Sequence, residues 1–407
     1  MDISSIAIVG ASLAGTRAAE ALRAQGYEGA IQLIGGEAHE PYERPPLSKR
    51  VLLGHTEHSE LALRQEWESL AVDLIMQEHV VDIDPHLRTL SLASGRELRA
   101  DRILLATGGA ARSLEVPGEL LDGVHSVREL DDAHALREEL AAAENVVIIG
   151  NGFIGLEIAA SARASGANAT VVSLSPVPMQ RALGGRWGTL IGERHVNRGV
   201  AMRTGVGIAE LRGTTRVTAV VLDDGTVIPA DLVIVGVGMT PRTELAERLG
   251  LVVAGGIVVD AETRTANPAI FAAGDVAVQP AWRGEGLVRY ESFQNAEQQG
   301  AAAAAAILGH PPLVREVPWF WTDQFDMNIQ VAGDVQGDAD VILRGDPADD
   351  AFSALHVRDS RVVGAFAIDV GRDVRGAMAL IAADVPVSAE ALADPTVDLR
   401  RLARAAK

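Results

Sequence analysis

The sequence predicts an α/β chain of two βαβ units closed by a small α+β domain, and three observations predict it. The apolar run Ile6-Ala7-Ile8-Val9 passes directly into Gly10-Ala11-Ser12-Leu13-Ala14-Gly15. A second run, Val146-Val147-Ile148-Ile149, passes directly into Gly150-Asn151-Gly152-Phe153-Ile154-Gly155-Leu156-Glu157. From Ile329 to Ile368 short alternating strands take over, followed by helical patterns at Arg372–Ala383 and Asp398–Ala406. Strand, glycine turn and helix in that order make a Rossmann-like turn. The glycines permit a tight bend and close approach of backbone to a pyrophosphate, and the helix N-terminus offers unpaired N–H groups. Two such turns imply two nucleotides.

At 407 residues the chain is long for one core. Three domains are expected: a discontinuous one over 1–112 and 240–317, a second over 113–239 and a third over 318–407. A formal net charge of −19 argues against nucleic acid or an anionic membrane as partner, because phosphate would be repelled over most of the surface. Cys 0 excludes disulfides, thiolate metal sites and mechanisms that need a redox-active cysteine pair. Any redox chemistry must then reside in a bound cofactor. The ten histidines form no ligand spacing, and no metal is expected. No basic segment precedes Ile6 and no apolar run approaches the roughly 20 residues of a membrane span, so a soluble, cytoplasmic protein is expected.

The elements follow in order. The first unit is strand Ile6–Val9, the turn, a helix from Thr16 to about Gln25, and strand Ile31–Ile34, with Glu37 just beyond, where such a unit places an acid for a ribose hydroxyl. Ser12 stands where glycine is usual, and its hydroxyl could donate to the phosphate instead. Pro41-Tyr42-Glu43-Arg44-Pro45-Pro46-Leu47-Ser48-Lys49 reads either as a stiff surface linker or as a loop presenting Arg44 to phosphate and Lys49 to a ring system. Strands at Val80–Ile83, Thr89–Leu92 and Arg102–Leu105 lead to Ala106-Thr107-Gly108, and a helix is expected over Leu130–Ala143. The second unit ends at Thr170–Ser175. No acid lies between Glu157 and Glu193, so nothing there discriminates a 2′-hydroxyl from a 2′-phosphate. Strands Val217–Leu222 and Leu232–Val235 flank an Asp224-Gly225 turn and run into Gly236-Val237-Gly238. Strands Ile257–Val259 and Ile270–Ala273 end in Gly274-Asp275, an aspartate that either caps a helix or binds sugar hydroxyls. Glu291-Ser292-Phe293 opens an alanine-rich helix to Leu308. In Pro318-Trp319-Phe320-Trp321-Thr322-Asp323-Gln324 the two tryptophans and the phenylalanine cannot all face one way on a strand.

Taken together, YERPPLSK at 42–49, ATG at 106–108, GNGFIGLE at 150–157, AAGD at 272–275, ESFQNA at 291–296 and PWFWTDQ at 318–324 give the chain its resemblance. It resembles the FAD-dependent, NADH-dependent ferredoxin reductases of bacterial oxygenase systems, the putidaredoxin-reductase and biphenyl-dioxygenase-reductase group, over essentially its whole length. The resemblance implies a glutathione-reductase-like fold, with FAD on the first turn and the nicotinamide dinucleotide on the second. It implies FAD contacts at Gly10, Ser12, Leu13, Ala14, Gly15, Arg44, Lys49, Val80, Ala106, Thr107, Gly108, Arg128, Gly274, Asp275, Glu291, Ser292, Phe293 and Trp321. Gly36 stands where relatives often have an acid, so Glu37 is expected to take that role. For the nicotinamide dinucleotide it implies Gly150, Gly152, Phe153, Ile154, Gly155, Glu157, Ser173, Arg181, Gly236, Val237 and Gly238.

The resemblance also implies a mechanism. Lys49 would stabilise the negative charge left by hydride transfer, Glu157 would orient Lys49 and the nicotinamide, and Trp321 would lie along the flavin ring. An ordinary ion pair bridging two domains is the other reading of Lys49 and Glu157. With no cysteine to relay electrons, the flavin must pass them directly to the acceptor, which the family makes a [2Fe–2S] ferredoxin feeding a dioxygenase or cytochrome P450. The alternative is an NAD(P)H-dependent flavin reductase of a small acceptor such as a quinone, a radical or oxygen; a non-catalytic flavoprotein read by an interaction partner has less support, since no basic run is present. NADH is expected as donor, with NADPH open. A monomer or weak homodimer is expected. Because such ferredoxins are acidic, a local basic patch is required, with Arg283, Arg289, Arg315, Arg358 and Arg361 as loose candidates.

Overall fold

The computed structural model describes residues 3–405. Ala406, the last residue of the expected C-terminal helix, lies outside them. The chain divides into two compact units, one of residues up to Arg44, Glu57–Ala110 and Met239–Arg315, the other of Pro45–Thr56, Ala111–Gly238 and the chain from Glu316 onward.

In the first unit a five-stranded parallel sheet runs in the order Ile270–Ala272, Arg102–Leu105, Ser5–Val9, Ala30–Ile34, Asp73–Ile75. Alternation sorts the central strand: Ile6 and Ile8 pack with Leu22, Leu33 and Leu104, whereas Ala7 and Val9 pack with Ile34, Leu105 and the small antiparallel sheet around Ile83, Leu90 and Leu92. The strand is buried on both faces. Helices Leu13–Ala24 and Phe293–Leu308 lie against each other. Gly300 permits this, because a Cβ there would stand 2.4 Å from the Ala14 carbonyl oxygen.

The second unit repeats the plan. Its parallel sheet runs Ala201–Thr204, Asn168–Ser173, Asn145–Ile149, Leu232–Val235, Val124–His125. A three-stranded antiparallel sheet buries Leu211, Val217, Val220 and Leu222 against Val147, Ile149 and Val172. The C-terminal part is a five-stranded antiparallel sheet, in the order Trp319–Gln324, Met327–Gly333, Arg361–Ile368, Phe352–Arg358, Asp340–Arg344, followed by helices Gly371–Ala383, Ala389–Ala393 and Leu399–Ala405. Two Rossmann-like units and a small α+β domain are therefore present.

The structure moves some element bounds. The first turn helix begins earlier than expected, at Leu13, because Ser12 already holds the extended N-cap conformation; Gly152 does the same before the second, which begins at Phe153. Helix Leu130–Leu140 stops short of Ala143. Helix Gln180–Asn197 was not foreseen. Gly184, Gly185, Gly188 and Gly192 lower its intrinsic propensity, and Gly184 departs from helical backbone altogether. Packing supplies the reason for one of them: a Cβ on Gly188 would lie 2.2 Å from the Pro178 carbonyl oxygen.

Candidate functional site

The first glycine turn sits at the carboxyl end of the central strand Ser5–Val9, where the strand order reverses, the place at which open parallel sheets bind ligands. Gly10 has φ +119°, and a Cβ there would stand 2.1 Å from the Ala106 carbonyl oxygen. A Cβ on Gly15 would stand 2.0 Å from the Gly10 carbonyl oxygen. Glycine at both positions lets the helix N-terminus close against the strand end with its backbone N–H groups presented, which is the fit a pyrophosphate needs. Leu13 and Ala14 form the first helical residues above it, and Ala106, Thr107 and Gly108 form the neighbouring strand end.

Polar side chains beside this turn are mutually engaged. Arg44 donates from Nε to Ser12 Oγ at 3.2 Å and from Nη2 to Glu37 Oε1 at 2.5 Å, and the Tyr42 hydroxyl donates to Glu37 Oε2. At the neighbouring position a Cβ on Gly36 would meet the His79 ring at 2.2 Å. Thr107 donates to the Arg242 carbonyl at 2.8 Å, and the Gly274 N–H donates to Gln299 Oε1 at 2.7 Å. Asp275 follows, Glu291 pairs with Arg289 at 2.8 Å, and Ser292 caps the helix that Phe293 opens by accepting from the Asn295 N–H at 3.3 Å. Val80 starts the strand Val80–Asp84.

The second turn has the same geometry. Gly150 has φ +114° and its Cβ would stand 2.2 Å from the Gly236 carbonyl oxygen; a Cβ on Gly155 would stand 2.1 Å from that of Gly150. Gly236, Val237 and Gly238 form the adjoining strand end, with the Gly238 carbonyl accepting from the Arg112 N–H at 3.0 Å. Ile154 is exposed in the first helical turn. Asn151 donates to the Ser175 carbonyl at 3.0 Å, which ties the turn to the loop that follows Ser173. Arg181 is exposed, and the Arg128 N–H donates to Asp132 Oδ2 at 2.9 Å.

At the buried end of helix Phe153–Ala164, Glu157 gathers three donors. Lys49 Nζ donates to Oε1 at 2.8 Å, Thr322 Oγ1 to Oε1 at 2.5 Å and Ser48 Oγ to Oε2 at 2.5 Å. The short helical turn Leu47–Val51 that carries Lys49 is fixed to this helix by Ser161 Oγ, which donates to the Ser48 carbonyl at 2.9 Å. A carboxylate so enclosed, with an ammonium beside it, is an anion held in one orientation. On strand Trp319–Gln324 the rings divide by face. Trp319 and Trp321 stack with centroids 5.2 Å apart, and Phe320 turns the other way to meet Phe153 at 4.9 Å.

The sequence matches the family described as pyridine nucleotide-disulphide oxidoreductase over residues 4–300, and that described as reductase C-terminal over residues 319–403. This chain belongs to the pyridine nucleotide-disulphide oxidoreductase family. It is 38% identical to the biphenyl dioxygenase system ferredoxin–NAD(+) reductase component of Paraburkholderia xenovorans, over 99% of each chain. It is also 38% identical to rhodocoxin reductase of Rhodococcus erythropolis, over 97% of this chain and 93% of that one. The reductase in the crystal structure of the covalent putidaredoxin reductase–putidaredoxin complex superposes with a TM-score of 0.94 at 34% identity, over 99% of each chain. The disulphide chemistry in the family's description has no counterpart here, because the chain has no cysteine.

For this family member the sequence brought attention to Lys49 and Glu157, and the structure joins them. It missed Ser48, Thr322, Gln324 and His195, which complete the same cluster. The period of two along PWFWTDQ was the available signal: Phe320, Thr322 and Gln324 share the face opposite the tryptophans. The docking arginines are each engaged. Arg315 donates to the Pro280 carbonyl at 2.8 Å, Arg358 reaches Asp334 at 3.5 Å, Arg361 reaches Asp384 at 3.7 Å, and Arg283 lies 4.6 Å over the Trp282 ring. Among the described residues no helix is long and apolar enough to cross a membrane.

Two buried histidines of the second unit contribute to its acid response. His195 donates from Nε2 to Gln324 Oε1 at 2.8 Å, and His356 accepts from Trp187 Nε1–H at 2.9 Å. Burial lowers each to about 4. The Gln324 bond opposes this at His195, while Arg198 adds to it; at His356 Asp334 opposes and Arg186 adds. The unfolded chain binds these protons near pH 6.5 and the folded one does not, so stability is complete above that pH and is lost as pH falls from 6.5 towards 4. The slope is at most about 1.4 kcal/mol per pH unit per histidine. Urea denaturation at pH 7 and pH 5 should show the loss, and His356→Gln, which keeps an acceptor for Trp187, should reduce it by about half.

Proposed function

We propose that this protein is a ferredoxin–NAD(+) reductase that takes hydride from NADH onto FAD and passes electrons to a [2Fe–2S] ferredoxin serving an oxygenase. The observation that carries the reading is the buried Lys49–Glu157 pair in a chain with two dinucleotide turns and no cysteine. Its relatives at 38% identity over nearly the whole chain, a dioxygenase system's ferredoxin–NAD(+) reductase component and rhodocoxin reductase, support it. FAD, when bound, accepts two electrons as hydride and returns them singly, which suits a one-electron iron–sulfur acceptor.

The chain's own residues bind and orient. The Gly10–Gly15 turn takes the FAD pyrophosphate, with Ser12, Glu37 and Arg44 beside it and Ala106–Gly108, Gly274, Asp275 and Glu291–Phe293 completing the contacts. The Gly150–Gly155 turn takes the nicotinamide dinucleotide, whose far ribose meets Ser173 and Arg181. No acid lies between Glu157 and Glu193 in the sequence to read a 2′-hydroxyl, so NADH is proposed as donor with NADPH left open. Lys49 would supply the ammonium that offsets the negative charge of a reduced flavin, Glu157 fixes Lys49, and Trp321 would serve as a contact for the ring. The working division is an FAD domain over 1–112 and 240–317, a nicotinamide domain over 113–239 and a C-terminal domain over 318–407, acting in the cytoplasm.

The test is NADH-driven cytochrome c reduction by the FAD-loaded enzyme with and without an added [2Fe–2S] ferredoxin. At least a tenfold increase on adding ferredoxin is expected, about the smallest effect that distinguishes a cognate acceptor from adventitious transfer. NADH oxidation that ferredoxin leaves unaltered assigns a small acceptor instead.

A further inference from the structure

The three donors on Glu157 do not end the cluster. Thr322 has one hydroxyl proton, and it is given to Glu157 Oε1; its oxygen therefore accepts, and Gln324 Nε2 donates to it at 3.2 Å. The same amide nitrogen faces Met179 Sδ at 3.6 Å, so the amide oxygen points the other way, where it accepts from His195 Nε2 at 2.8 Å. A flipped Gln324 would set its oxygen against a Thr322 oxygen that has no proton left to give. His195, Gln324 and Thr322 are fully buried, and Glu157 and Ser48 are nearly so. His195 Nδ1 is buried without a hydrogen-bond partner, so the ring has one bond through which its tautomer can be chosen. Every donor in the series points toward the carboxylate.

We propose that Thr322, Gln324 and His195 are positioning residues for the Glu157–Lys49 pair, forming a one-way hydrogen-bond chain in which the charge on Glu157 dictates which nitrogen of His195 carries the proton. The proposal rests on the reading of Lys49 and Glu157 as part of the hydride-transfer site. Physically, the chain joins helix Gln180–Asn197 and strand Trp319–Gln324 to helix Phe153–Ala164, and aligned dipoles along it favour the anion and hold it in one rotamer. The neutral state of His195, imposed by burial, keeps a second cation out of the series. A buried, hydrogen-bonded anion is a better clamp for Lys49 than a carboxylate free to rotate.

Two readouts on the FAD-loaded protein test this. In ¹⁵N-histidine NMR the wild type should show His195 as the single Nε2–H tautomer. Thr322→Val and Glu157→Gln should each release Gln324 to flip and give Nδ1–H or a mixture, while Thr322→Ser keeps the wild-type tautomer. In stopped-flow reduction by NADH, Thr322→Val should slow flavin reduction about tenfold, the loss of one hydrogen bond to a charged group, but less than about twofold when Glu157 is already glutamine. An unaltered His195 tautomer in both variants, or rate losses that multiply in the double variant, overturns the proposal. Should Thr322→Val not fold, Gln324→Met, which keeps the volume and removes both bonds, is read by the same rate cycle with the same two outcomes. Wild-type flavin that NADH fails to reduce overturns the functional reading instead, and the tautomer measurement then decides this one.

Discussion

Lys49→Ala is expected to slow reduction of the bound flavin by NADH about a hundredfold in stopped-flow, close to 2.7 kcal/mol of barrier, the scale seen when one preorganised electrostatic donor is removed. The side chain is 16% exposed and its ammonium stands 2.8 Å from a carboxylate that is 4% exposed, so its charge is little screened by water. Removing it has a second consequence. Glu157 keeps Ser48 and Thr322 but loses its counter-ion, and an uncompensated buried charge destabilises by about 3–5 kcal/mol. The two effects separate in Lys49→Ala/Glu157→Gln, which should regain stability and not rate. Flavin reduction at the wild-type rate in Lys49→Ala would remove the lysine from the mechanism.

Gly150→Ala is expected to weaken NADH binding by about ten- to a hundredfold while FAD stays bound. The backbone there has φ +114°, a region that costs an L-residue about 1–3 kcal/mol, and the new methyl would stand 2.2 Å from the Gly236 carbonyl oxygen. That oxygen is backbone and cannot rotate aside, so the strand ends must part and the N–H cradle opens. Titration of the oxidised protein with an NADH analogue measures the loss. The first turn lies in the other compact unit and keeps its own geometry, so flavin content serves as the internal control. Unchanged analogue affinity with full flavin content would show that Gly150 is needed only for the turn.

The strands and helices most legible in the sequence were those whose period is set by local burial. Val217–Leu222, Leu232–Val235 and the alanine-rich helix to Leu308 fall at the expected bounds. Both glycine turns were legible because the glycines answer to backbone sterics within a few residues and to one carbonyl across the sheet. Helix Gln180–Asn197 was illegible for the converse reason. Its glycines oppose helix locally, and at Gly188 the Pro178 backbone lies against the position a side chain would take.

The candidate site divides in the same way. Lys49 and Glu157 were expected as a pair through the resemblance of their motifs, not through any spacing that would bring positions so far apart together. Ser48 and His195 carried no local signal of function, and for Thr322 and Gln324 the period of two gave only a shared face. A threonine or glutamine on a strand and a histidine on a helix are ordinary residues until burial drives their polar atoms to find partners among one another.

By itself the sequence determined two strand–glycine turn–helix units, the absence of thiol chemistry and the α/β plan, since each follows from backbone freedom, composition or periodicity. Only the tertiary structure decided what surrounds Glu157. Hydrogen bonds between side chains distant in the chain are fixed by which faces pack together, and packing placed Thr322 and Gln324 on the face opposite the tryptophans, within reach of Glu157 and His195.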